Sequence, residues 1–125
     1  MGPGGRVHAE RARDYQAQVT GAPKGTSYRV TWKGEEVDFD GFQEGVLQEA
    51  KGPGYAKFID AKFNPKGFFT KGVDKLLAQA TRQLRVAQGT PIRWIVAEEK
   101  FAAALRILFE ERGIPIEVVQ ISPAP

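Results

Sequence analysis

The chain has 125 residues, of which 42% are hydrophobic and 26% charged, with no cysteine and a single histidine. This length and balance indicate one folded domain and exclude bulk disorder, and no apolar run is long enough to span a membrane. The absence of cysteine excludes disulfides, thiol chemistry and cysteine-type zinc sites. The formal net charge of +3 conceals a basic segment, since residues 51–94 carry nine basic and two acidic side chains.

The hydrophobic pattern predicts an α/β domain in which helices and strands follow the order α-β-β-β-α-β-α-β. The clearest element is the second helix, where apolar residues recur at spacings of three and four. The three first strands form a meander, and the alternation that follows predicts a mixed central sheet flanked by helices. The predicted elements are helices at 6–19, 73–88 and 101–112, and strands at 28–32, 37–40, 46–51, 91–97 and 116–121.

The Gly-rich and Pro-rich ends of the chain predict the limits of the domain. Residues 1–5 are interpreted as the remnant of a linker and residues 122–125 as a flexible tail. A single domain is therefore expected over residues 6–121. We also expect that this domain does not insert into a membrane.

Two carboxylates and a lysine are predicted to meet where two strands adjoin. Glu49 and Lys51 alternate with Ala50 along the third strand, so both project to the same face of the sheet. Asp40 ends the preceding strand, and a short turn brings it towards Glu49. Two carboxylates and the Ala50 backbone carbonyl are hard oxygen ligands suited to Mg²⁺ or Mn²⁺, and a lysine beside them can stabilise charge on a phosphate. The alternative is a hairpin that carries surface charges.

Other polar residues are candidates for the same site. Gln79 and Gln83 are four residues apart on the second helix, and this polar ridge is expected either to reach the carboxylates or to face solvent. On the first helix, Glu10 or Asp14 is a candidate to complete the metal site, with plain surface acidity as the alternative.

Lysines alternate with aromatic residues between the third strand and the second helix. Cations beside aromatics suit a nucleic-acid path, although loop aromatics also anchor loops to the core; we expect the lysines to point outward and most of the phenylalanines inward. A solvated lysine-rich face is the alternative. The candidate nucleic-acid contacts are Lys57, Lys62, Lys66, Lys71, Arg82 and Arg85.

The spacing of Asp40 and the Glu49-Ala50-Lys51 run resembles the PD-(D/E)xK nuclease signature, with a phenylalanine in place of the proline before the first aspartate. The longer run of residues 49–55, EAKGPGY, is similar to the restriction-endonuclease-like toxin domains, specifically the fifth of the Tox-REase groups. Further similarity lies in VDFDG at 37–41 and QATRQ at 79–83. The resemblance covers roughly residues 10–120 and implies a restriction-endonuclease-like PD-(D/E)xK fold.

This resemblance also implies a function and a setting. Members of the family are the C-terminal domains of bacterial polymorphic toxins, including type VI secretion effectors, and are metal-dependent nucleases neutralised by a cognate immunity protein. Carried over, Asp40 and Glu49 hold the metal, Lys51 is catalytic, and Gln79 and Gln83 are the helix amides. The expectation is a Mg²⁺-dependent DNA endonuclease within a larger secreted toxin, acting in the cytoplasm of the target cell. RNA as the substrate, or a non-catalytic binding module on the same fold, are the alternatives.

Overall fold

The computed structural model describes the backbone of residues 3–125 and the side chains of residues 9–125. The mixed α/β class expected from the sequence is confirmed, with one strand more than predicted. The helices are α1 (Pro3–Thr20), α2 (Thr70–Ala87) and α3 (Glu99–Glu111). The strands are β1 (Tyr28–Trp32), β2 (Glu35–Phe39), β3 (Gly41–Gln43), β4 (Val46–Lys51), β5 (Ile92–Val96) and β6 (Glu117–Gln120).

The strands form two sheets. β1 and β2 pair antiparallel as a hairpin separate from the main sheet, which has the order β3-β4-β5-β6. The predicted meander of the first three strands is therefore wrong, because β4 pairs with the additional strand β3 and not with β2. β3 runs antiparallel to β4, whereas β4, β5 and β6 are parallel, with α2 and α3 as the crossover connections. The main sheet is therefore mixed, as predicted, and β4 lies inside it between an antiparallel and a parallel neighbour.

The additional strand β3 lies where the sequence predicts only a turn. Gly41 occupies this strand because a Cβ atom there would lie 2.5 Å from the Gln48 side-chain oxygen and 2.8 Å from the Thr20 side chain. The actual turn is confined to Glu44 and Gly45, whose φ angles of 52° and 80° suit a tight two-residue hairpin loop. Gly41 thus marks a close approach between elements and does not end a strand.

Each face of the main sheet is covered by different helices. Leu47, Trp94 and Val96 belong to the larger core, which also contains the buried residues of α2 and α3. On the opposite face, Tyr15 of α1 packs with Ile95 and Ala97. This division follows from the alternation of side chains along each strand, and it decides which helix can reach which residue of β4.

The segment between β4 and α2 is ordered by local contacts. Two short 3₁₀ turns, Ala56–Phe58 and Gly67–Phe69, flank an isolated bridge between Ile59 and Pro65. Ile59 is only 2% exposed and anchors the segment to the core. The expectation that most phenylalanines point inward is only half met, because Phe63 and Phe68 are exposed.

Both ends of the described chain belong to α1 or contact it. Met1 and Gly2 of the predicted linker lie outside the described residues, and α1 begins at Pro3, three residues before its predicted start. At the other end, residues 122–125 lie against α1 because the Gln18 amide donates to the Ser122 carbonyl and accepts from the Ala124 N–H. Among the described residues, no helix combines the length and the apolar character that a membrane span requires.

Candidate functional site

The two predicted carboxylates lie close together beside β4, and their side chains are in hydrogen-bond contact. The Asp40 N–H donates to the Gln48 carbonyl at 2.9 Å, although Gln48 is the register partner of Gly41, so Asp40 and Gly41 both face Gln48 as in a β-bulge. The Asp40 carboxylate also accepts the Ala50 N–H at 2.7 Å, which fixes its orientation towards β4.

Glu49 and Lys51 project towards α2, as strand alternation predicts. The Lys51 Nζ atom lies 3.3 Å from Glu49 Oε2, and each of the two side chains is only 9% exposed. Lys51 also lies over the Trp94 ring, 4.8 Å from its centroid, which adds a cation–π contact. An ion pair this far from solvent is costly unless its remaining polar atoms are satisfied, so the neighbouring groups decide whether it is stable.

Two glutamines of α2 satisfy those atoms. Gln83 is fully buried and donates to Glu49 Oε1 at 2.9 Å, while Gln79 donates to Glu49 Oε2 at 3.1 Å. The Gln79 carbonyl oxygen accepts from Lys51 Nζ at 2.6 Å. Both glutamines therefore face the sheet and not the solvent, and their neutral amides connect the lysine to the carboxylate without adding charge.

Trp94 of β5 completes this network and was missed by the sequence analysis. It lies beside Glu49 in the parallel β4–β5 register, and its indole N–H donates to Gln83 Oε1 at 2.8 Å. The available signal was a tryptophan inside an otherwise apolar buried strand, because a buried indole N–H requires an acceptor. Its role is to orient the Gln83 amide so that the NH₂ group faces Glu49.

Burial dominates the electrostatics of the two carboxyl groups. Burial is the largest reason that the pKa of Glu49 is raised to about 7; the charge of Lys51 lowers this pKa, Asp40 raises it, and the hydrogen bond from Gln83 lowers it. Burial likewise raises the pKa of Asp40 above its usual range, against the lowering effect of the Ala50 N–H and of Lys51. The site therefore holds two acidic groups whose negative charge the protein's own donors do not fully offset.

The predicted acids of the first helix do not join this pair. α1 packs on the face of the sheet to which Ala50 points, whereas Glu49 points to the other face. Asp14 is exposed and pairs with Lys24 at 2.7 Å. Glu10 is exposed as well, and over the side chains that the structure describes no group of three or more Asp, Glu, His or Cys is placed to hold a metal.

The predicted nucleic-acid contacts separate into two groups. Arg85 forms a two-pronged ion pair with Glu35 of the β1–β2 hairpin, with both contacts at 2.7 Å, so its guanidinium is already occupied. Arg82 lies beside this pair and lines the same surface depression. The lysines lie along the β4–α2 segment and the start of α2; Lys57, Lys62 and Lys71 are exposed and Lys66 is half-buried.

Glu98 is a second residue that the sequence analysis missed. One of its carboxylate oxygens accepts three backbone N–H groups, those of Gly54, Tyr55 and Ala56, at 2.8 to 3.0 Å. These contacts fix the loop that directly follows Lys51. No local pattern predicts them, because more than 40 residues separate the carboxylate from the loop.

Comparison with known proteins identifies one family. Residues 12–99 match restriction endonuclease fold toxin 5, Tox-REase-5. No curated protein and no solved structure matches the chain. The matched range covers most of the chain and contains the carboxylate pair, Lys51 and both glutamines. The family expected from the sequence is thus confirmed, and a nuclease toxin is what this family indicates. The chain belongs to the restriction endonuclease fold toxin 5 family.

Proposed function

We propose that this domain is a Mg²⁺-dependent endonuclease that hydrolyses phosphodiester bonds in DNA. The observation that carries the proposal is the buried contact of 3.3 Å between Glu49 and Lys51, held by two glutamine amides, with Asp40 in contact with Glu49. Keeping an acid and an amine together out of water requires a dedicated network, and perturbed ionisable groups of this kind are characteristic of active sites.

The donor set of the site fits a hard divalent cation. Asp40 and Glu49 supply carboxylate oxygens that lie close together, and burial raises both pKa values, so a bound cation would stabilise their charged forms. Asp40, Glu49 and the Ala50 carbonyl would hold the Mg²⁺. When bound, the ion would lower the pKa of a coordinated water and offset charge on the phosphate.

The chain's own residues supply the remaining functions. The Lys51 ammonium is positioned to stabilise negative charge that develops on the phosphate oxygens. Gln79 binds Lys51 through its carbonyl oxygen and Glu49 through its amide nitrogen, which fixes the positions of the two side chains relative to each other. Gln83 and the indole behind it fix the second oxygen of Glu49. This arrangement is preorganised, so little reorientation is required during the reaction.

Plasmid cleavage tests the proposal. Purified domain should nick or linearise supercoiled DNA with Mg²⁺ and not with EDTA, and Glu49→Gln or Lys51→Met should lower the rate at least about 100-fold. Asp40→Asn should have a similar effect. The matched control is Asp38→Asn, because Asp38 lies two residues earlier and is exposed in an ion pair with Arg29. Unchanged rates in the Glu49 and Lys51 variants would overturn the site assignment.

The setting of the domain is part of the same proposal. Membership in a toxin family supports an effector that belongs to a larger secreted polypeptide, delivered by a system such as type VI secretion and acting in the cytoplasm of a competing bacterium. A cognate immunity protein would then protect the producing cell. Expression in a bacterial host tests this: the wild type should stop growth and degrade DNA, whereas Glu49→Gln should do neither. Loss of RNA with intact DNA would assign RNA as the substrate.

A further inference from the structure

A groove leads away from the carboxylate site along the start of α2. It has a volume of about 230 Å³, and its lining includes Lys51, Phe69, Lys75 and Gln79. Lys51 and Gln79 belong to the network around Glu49, so the groove borders that network. Lys75 and Phe69 form no hydrogen bond within the network around Glu49, so that network does not explain why they line the groove.

The helix face beside the groove changes from amide to basic side chains with distance from Glu49. Gln83, Gln79, Lys75 and Lys71 follow one another at intervals of four residues, which places them in one ridge with about 6 Å of rise per step. The two glutamines bind Glu49, and the two lysines continue the ridge beyond the site. Asp74 lies about 100° around the helix from Lys75 but only about 60° from Lys71, so Lys75 is the lysine of this ridge that is farther in angle from the acid.

An exposed aromatic side chain directly precedes the groove residue Phe69 in the chain. Phe68 is 73% exposed, whereas its neighbour Phe69 is half-buried and stacks on Phe58 with ring centroids 4.4 Å apart. Phe58 also meets the edge of Phe68, with centroids 6.1 Å apart. This contact supports the exposed ring from one side and leaves most of its surface accessible to a planar ligand.

Gly72 allows the Phe69 ring to pack against α2. A Cβ atom at position 72 would lie 2.2 Å from the Phe69 ring, so the ring packs directly on the backbone of α2. The close approach holds Phe69 in the groove wall, one residue after the exposed Phe68.

We propose that this groove binds one unpaired strand of nucleic acid, with Lys75 contacting a backbone phosphate next to the cleaved one and Phe68 stacking on a base. The inference rests on the proposed nuclease function and names how that site holds its substrate. The strand is favoured as the ligand because positive charge and an accessible aromatic ring are combined within a segment that has nine basic and two acidic residues. Base stacking on aromatic side chains needs an unpaired or splayed base.

Binding to a fluorescent single-stranded oligonucleotide tests the inference without cleavage. All variants carry Glu49→Gln to prevent turnover, and anisotropy gives Kd at several salt concentrations. Phe68→Ala should weaken binding about 5- to 150-fold, as expected for one base stack of about 1–3 kcal/mol. Lys75→Ala should reduce the slope of log K against log salt by about 0.7, which corresponds to one lost phosphate contact.

Control variants separate this effect from general changes in charge or apolar surface. Phe63→Ala removes another exposed phenylalanine from the same segment. Lys24→Ala removes a lysine that pairs with Asp14 of α1, the helix on the other face of the main sheet. Both should bind as the parent does. In addition, Phe68→Trp should retain affinity and show quenched, protected tryptophan emission when the oligonucleotide binds.

Two further outcomes have distinct meanings. If Phe68→Ala and Lys75→Ala bind the strand as tightly as their parent and with the same salt slope, the groove is not the strand site, and the inference is overturned. Cleavage by the wild type would then show that the proposed function itself stands. With active enzyme, Lys75→Ala should raise KM and leave kcat within about threefold, since it removes binding and not chemistry.

Discussion

The link between Gln83 and Trp94 allows a quantitative test of the buried network. Gln83→Leu leaves the indole N–H of Trp94 without an acceptor, and it removes one donor from the Glu49 carboxylate. A buried unsatisfied donor costs about 1–3 kcal/mol, and a hydrogen bond to a charged group contributes about 1.5–3 kcal/mol. We therefore expect Gln83→Leu to lower the free energy of unfolding by about 3 kcal/mol.

A double-mutant cycle isolates the contact between the two side chains. Trp94→Phe removes the N–H and leaves the Gln83 oxygen unpaired, whereas the double variant leaves neither group unpaired. The double variant should therefore lose less stability than the sum of the single variants, with a coupling free energy of about 2 kcal/mol. Urea denaturation followed by far-UV circular dichroism measures all four proteins without depending on indole fluorescence. Costs that add to within about 0.5 kcal/mol would refute the hydrogen bond.

Three other predictions concern the scaffold around the site. Gly41→Ala should lower the free energy of unfolding by about 1–3 kcal/mol, because its Cβ would lie 2.5 Å from the Gln48 oxygen, whereas Gly67→Ala, with no atom within 4 Å, should change the urea midpoint little. Glu98→Ala should speed amide hydrogen exchange in the loop after β4 and leave exchange in β5 unchanged. Burial raises the pKa of Tyr15 to about 12, so stability should be full below pH 10 and fall by about 2 kcal/mol as pH rises to 12, a loss that Tyr15→Phe should abolish.

Strand periodicity accounts for the part of the site that the sequence predicts well. Because side chains alternate along β4, Glu49 and Lys51 had to share a face, and the structure places them 3.3 Å apart. The helical spacing of Gln79 and Gln83 likewise required that both reach the same region. These relations depend on local geometry alone, so a single sequence is sufficient to predict them.

The remaining features depend on contacts that local patterns do not encode. Asp14 has the residue type of a metal ligand, but the face on which α1 packs is decided by the whole core. Arg85 forms its ion pair with Glu35, which lies 50 residues earlier in the sequence, on the β1–β2 hairpin. Gly41 is a residue type common in turns, yet it lies in a strand, where the closeness of Gln48 and Thr20 leaves no room for a side chain. In each case the sequence shows which residue is present, but it does not show which distant residue will lie beside it.

The charge balance of the site leads to a prediction that does not depend on cleavage. Asp40 and Glu49 both have raised pKa values although Lys51 is in contact with Glu49, so a divalent cation that binds both carboxylates should stabilise the folded state. Binding at 100 times Kd contributes about 2.7 kcal/mol, which for a domain of this size raises Tm by about 10 °C. Differential scanning fluorimetry with Mg²⁺ or Mn²⁺ measures the shift. The Asp38→Asn variant should keep it and Glu49→Gln should lose most of it; equal shifts in both would mean that the cation binds elsewhere.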